Sequence, residues 1–181
     1  IEQLIHQVYS ALGTTMATYS AQNIGAGKIT RIRQGFRSAT IMGAIYSVAI
    51  GVVVFFFGSK LTWLFVTDDL DRVVPLVDIY MKAIAPFFLP LMAIYVYRNG
   101  VQGLGFGLLP MMGGVVELFA RMIVAKISAH FVSYLGICLA SPAAWVSAGI
   151  FFLVVYAAVI QKIQRAFPED GTHHLQNSSE K

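Results

Sequence analysis

The feature that most restricts this chain is the absence of charge over lengths that match a bilayer. Gln3–Gly27 runs for 25 residues without Asp, Glu, Lys or Arg, Ser38–Ser59 for 22 and Leu139–Gln161 for 23. A fourth apolar region, from Val73 to His130, is too long for one crossing and breaks at Arg98, Asn99 and the glycines Gly100, Gly103, Gly105 and Gly107. A helix crosses ~30 Å of hydrocarbon with about 20 apolar residues. Away from water its backbone groups must be paired within the segment. Barrel strands would need short alternating segments, and none are present. The pattern predicts an all-α fold, a polytopic transmembrane bundle of about five helices at 1–22, 38–58, 74–97, 107–131 and 138–161. These make one unit over 1–163, followed by a polar tail over 164–181.

Composition excludes the other classes. The chain is 57% hydrophobic and 12% charged, where soluble domains average about 45–50% and about 25%. So few charged groups do not cover the surface of a soluble fold, and the chain is too apolar to be disordered. The single cysteine, Cys138, excludes an intrachain disulfide and a cysteine-rich metal site.

Charge placement sets an orientation. Lys28, Arg31, Arg33 and Arg37 lie between the first two helices with no acid among them, and Lys162 and Arg165 follow the last. The connection between them, 58–72, sets Lys60 and Arg72 against Asp68, Asp69 and Asp71. The positive-inside rule then places the 23–37 loop and the C-terminus in the cytoplasm of a plasma (inner) membrane, and 58–73 outside. The basic loop is thus an orientation signal with lipid as its neighbour, not a nucleic-acid patch. The chain opens on Ile1 inside an apolar segment without a start Met, so further sequence is expected upstream.

No catalytic motif is present. Gly25–Lys28 reads GAGK, but Gln22 and Ile29 stand where a phosphate loop needs Gly and Ser or Thr. HExxH and GxSxG do not occur, so neither an enzyme nor a bound cofactor or metal is expected. Gly103 and Gly107 form GxxxG, which permits close helix contact or an inter-helix bend.

The charged groups within the spans carry the remaining information, because they are costly in lipid and often functional. Glu117 lies ten residues into the fourth helix, about 15 Å at 1.5 Å per residue. Arg121 follows one turn later on the same face, and both are expected to face the bundle interior. Two roles stay open: a buried structural ion pair, or an acid whose protonation couples to transport. Asp78 and Lys82 share a face of the third helix at headgroup depth, and Arg98 can snorkel to the headgroups at its inner end. Glu2 and His6 share a face of the first helix near its outer end, where a preceding helix could contact them. Pro86 and Pro90 are expected to kink the third helix. Phe87, Phe88, Tyr95, Tyr97, Met111 and Met112 could pack, or line a path for flat cations.

Four stretches carry a resemblance. LGTTMATYSAQNIGAGKITRIRQGFR (12–37), IYVYRNGVQGLG (94–105), GGVVELFARMIVA (113–125) and GICLASPAAWVSAG (136–149) resemble, in order and spacing, the C-terminal lobe of multidrug and toxic compound extrusion (MATE) transporters. The resemblance implies a partial C-terminal lobe of a twelve-helix, two-lobe protein, partnered by an N-terminal lobe that this chain lacks. It implies export of small cationic or amphipathic organic compounds in exchange for H⁺ or Na⁺, with no other cofactor. It also implies a role for Tyr95, because Na⁺-coupled members follow such a tyrosine four residues later with a carboxylate. Here Asn99 takes that place. A lipid-linked precursor flippase of the same superfamily, and a truncated, non-transporting membrane fragment, are the alternatives.

Overall fold

The computed structural model describes residues 2–62, 70–132 and 134–166. Its helices are α1 (Glu2–Gly25), α2 (Ile29–Thr62), α3 (Leu70–Ile84), α4 (Phe88–Gly103), α5 (Leu108–His130), α6 (Tyr134–Cys138) and α7 (Ala140–Ala166). A 3₁₀ turn at Ala85–Phe87 joins α3 to α4, and no strand occurs among the described residues. Asp68, Asp69 and most of the expected tail fall outside the described residues.

Four stretches are long and apolar enough to cross a membrane: Ile29–Gly58, Val73–Gly103, Leu108–His130 and Tyr134–Ala166. The 24-residue α1 is more polar, because Ser10, Thr14, Thr15, Thr18 and Gln22 line its outer side. Its three threonine hydroxyls donate to carbonyls four residues back at 2.9–3.2 Å, so they are satisfied without water.

The expected 23–37 loop is corrected. Only Ala26–Lys28 separates α1 from α2, and Arg31, Arg33 and Arg37 are helical. Ile29, Ile32, Phe36 and Ala39 recur at helical spacing and are almost fully buried. They extend α2 beyond the charge-free run as an amphipathic helix. α7 reaches Ala166 in the same way, with Val155, Val159 and Ile163 facing inward. The GAGK stretch is a helix stop: Gly27 adopts φ +67°, and Lys28 N–H donates to Asn23 O at 2.9 Å. Gly105, at φ +92°, ends α4 in the same manner.

α4 is the central element. Phe88, Leu91, Met92, Ala93, Ile94, Val96, Tyr97 and Val101 bury it on nearly every side, against α1, α2 and α7. Glycines set the closest approach: Gly103 meets the Ala17 backbone of α1, and Gly100 meets the Phe36 ring of α2. α5 lies to one side, packed on α7 where Gly113 receives Phe152. The GxxxG pair therefore divides, since nothing lies within 4 Å of a Cβ built at Gly107.

The prolines interrupt the third span at Ala85–Phe87, with Pro86 inside the 3₁₀ turn. Pro90 is the third residue of α4, where an N–H has no intrahelical partner to lose. Asp78 and Lys82 pair at 2.6 Å.

Candidate functional site

A polar cavity of about 500 Å³ opens between α1, α4, α5 and α7. Helical spacing presents its side chains. Glu2, His6 and Ser10 rise one turn at a time on α1, above the Gly13 and Ala17 seam against α4. α4 contributes Tyr95, Arg98, Asn99 and Gln102, α5 Glu117 and Arg121, and α7 Ser141 and Trp145.

His6 links the elements. Its Nδ1 lies 3.2 Å from the Tyr95 hydroxyl, and its ring meets those of Tyr95 and Trp145 edge-on, with centroids 5.9 and 6.2 Å away. Its Nε2 is buried without a hydrogen bond among the described residues, 3.6 Å from Glu2 Oε1. The other oxygen of Glu2 accepts from Tyr80 of α3 at 2.8 Å. Across the cavity Arg121 Nη2 donates to Glu117 Oε1 at 2.9 Å. Asn99 Nδ2 donates to the Tyr95 carbonyl at 2.8 Å, which leaves Oδ1 as its acceptor.

The four ion or substrate candidates read from the sequence, Tyr95, Asn99, Glu117 and Arg121, line this one cavity, while Pro86 and Pro90 lie outside it. Glu117 and Arg121 both face the cavity between α1, α4, α5 and α7. Their side chains are 27% and 48% exposed, because α5 touches the bundle mainly through α7 and leaves the cavity open. Arg98 lines the cavity as well. Glu2 and His6 have neighbours within this chain, Tyr80 and Tyr95. Of the six aromatic and methionine candidates only Tyr95 reaches the cavity: Phe88 and Tyr97 are core, and Met111 and Met112 face outward.

Sequence reasoning missed Tyr80, Ser141 and Trp145. The spacing of Glu2 and His6 showed a shared face but could not supply their partners.

The charges of the lining balance, with Glu2 and Glu117 against Arg98 and Arg121. A hard cation would find oxygens on Tyr95, Asn99 and Glu117. One of these is a neutral amide and another already serves Arg121. Among the described residues no three His, Cys, Asp or Glu side chains gather as a metal site.

A family model described as MatE matches residues 1–127, from α1 through most of α5. No curated protein and no solved structure matches the chain.

Proposed function

The chain belongs to the MatE family of transporters, and on that premise we propose that it is part of a secondary antiporter that exports cationic or amphipathic organic compounds in exchange for protons. The observation that carries the reading is the polar cavity between α1, α4, α5 and α7, where Glu2, His6, Arg98, Glu117 and Arg121 meet. Intramembrane ionisable groups of this kind mark ion and substrate pathways.

An imidazole nitrogen can take up or release a proton, so His6 is the candidate proton carrier of the cavity. In the tautomer that carries its proton on Nε2, neutral His6 accepts a hydrogen bond from the Tyr95 hydroxyl at Nδ1. A second proton turns both nitrogens into donors. Tyr95 must then rotate its hydroxyl, and the 3.6 Å gap between Nε2 and Glu2 shortens toward a charge-assisted hydrogen bond. That couples α1 to α4. Tyr80, Arg98, Glu117, Arg121 and Trp145 surround the pair from the other elements and bias the step. Na⁺ coupling is disfavoured because Asn99 brings no charge.

Alternating access would come from rocking this bundle against a second lobe. The basic start of α2 and the end of α7 would face the cytoplasm of the plasma membrane.

The test is dye efflux from a pump-deficient host that carries the complete transporter. Efflux should follow the imposed pH gradient and persist without Na⁺, and His6→Gln should remove the pH dependence at normal membrane levels. Absence of dye efflux, with movement of a lipid-linked precursor instead, would favour the flippase alternative.

A further inference from the structure

A second cavity, of about 590 Å³, lies at the basic end of α2 against α4 and α7. Arg33, Arg37 and Thr40 form one wall. The floor is a cluster of three rings, Phe36, Tyr97 and Tyr156, with centroids 4.4–5.6 Å apart. Tyr97 is tied to Thr40 by a hydroxyl pair at 3.0 Å. The floor is thus rigid while the wall is charged.

Among the residues whose side chains are described, no acid pairs with either guanidinium. α2 contains no Asp or Glu. Of the acids whose side chains are described, Glu2 lies against His6 and Tyr80, Asp78 pairs with Lys82, and Glu117 with Arg121. Like charges one helical turn apart repel, and an anion seated between them removes that repulsion. Arginine pairs bind phosphate oxygens through paired N–H donors. An organic cation would be repelled from the same place.

The face continues in a way that suits an amphiphile. Arg33, Arg37, Ile41, Ile45, Val48 and Val52 follow at intervals of three and four residues, so they form one stripe, and its four apolar members are exposed. One leaflet's hydrocarbon is about 15 Å deep, or roughly ten helical residues. Counted from Arg37, that depth ends beside Val48. There an apolar groove of about 330 Å³ opens, lined by Val48, Val52, Phe55, Pro86 and Leu89.

We infer that this stripe binds one anionic phospholipid, with its phosphate between Arg33 and Arg37 and an acyl chain along Ile41, Ile45 and Val48 toward the groove at Pro86. Basic pockets between transmembrane helices take anionic headgroups in this way. The site requires only that the chain spans a membrane and is independent of what the transporter exports.

Native mass spectrometry of the full-length protein, released from nanodiscs of equal phosphatidylglycerol and phosphatidylcholine, tests it. The wild type should retain one phosphatidylglycerol with a preference on the order of tenfold or more, two basic groups acting together. The double variant Arg33→Gln with Arg37→Gln should lose the preference. Arg31→Gln, outside the cavity, should keep it, and inorganic phosphate at millimolar level should not displace the lipid. Equal retention of both lipids by the wild type, or an unchanged preference in the double variant, overturns the proposal. So does displacement by inorganic phosphate, which would make the site a phosphate subsite. A preference that emerges only after residues 167–181 are removed also overturns it, because the acidic tail would then be the occupant. If the double variant does not accumulate, the wild-type and phosphate arms still decide.

Discussion

Gly103→Ala would place a Cβ against the backbone of α1, 2.8 Å from both the carbonyl carbon and the Cα of Ala17 and nearer still to its oxygen. Non-bonded carbons rest at about 3.5–4.0 Å, so the two helices must part by roughly 1 Å near that point. The neighbour is backbone and has no rotamer to change. A gap of 0.5–1 Å forfeits a quarter to a half of each dispersion well it touches, and overpacking typically costs about 1–3 kcal/mol. The better helix propensity of alanine returns about 1 kcal/mol at most. With the full return a net loss of about 0–2 kcal/mol is left, and against controls that gain the same propensity the difference is about 1–3 kcal/mol, which at about 2–4 °C per kcal/mol for a chain of this size is a melting temperature about 2–12 °C below theirs. Thermal melting in detergent, followed by fluorescence-detected size exclusion, measures it. Gly107→Ala and Gly114→Ala are the controls, because nothing lies within 4 Å of either Cβ position, and both should melt at or slightly above the wild type. Because the same seam sets the distance between His6 on α1 and Tyr95 on α4, Gly103→Ala should also lower transport in the folded fraction. Gly103→Ala melting with its controls would refute the reasoning.

Three further outcomes are expected. Arg121→Leu should accumulate near normal levels, because the Glu117 partner is 27% exposed and the arginine 48% exposed, so the loss is that of a solvated pair, about 1 kcal/mol or less, not the 3–5 kcal/mol of a dry one. Quantitative membrane blots check this, and full export by the double variant Glu117→Leu with Arg121→Leu would eliminate Glu117 as a coupling residue. Asn99→Asp in the complete transporter should introduce Na⁺ dependence by supplying a charged oxygen ligand; efflux at fixed pH with and without Na⁺ reads it, and indifference to Na⁺ would count against cation access to Asn99. In intact cells, after Cys138 is replaced, an impermeant thiol reagent should label a cysteine at Asp69 and spare one at Arg33; the reverse pattern would invert the orientation.

Charge-free length determines that this chain is a helical membrane protein, because lipid offers no partner to an unpaired backbone group. Helix periodicity determines the close pairs as well: Glu117 with Arg121 and Asp78 with Lys82 are four residues apart, and a helix alone brings them together. Other features needed the fold. Arg31, Arg33 and Arg37 read as loop residues until α4 and its neighbours supplied something for Ile29, Ile32 and Phe36 to bury against; charge runs report where lipid ends, not where a helix ends. The cavity was legible only in pieces. Tyr95, Asn99, Glu117 and Arg121 were each visible, but His6 stands 89 residues from its partner Tyr95. No short-range pattern encodes that distance. It is decided by which helix faces can approach, and that depends on the absence of side chains at Gly13, where a Cβ would fall 2.6 Å from Asn99 Nδ2, and at Gly103 against Ala17.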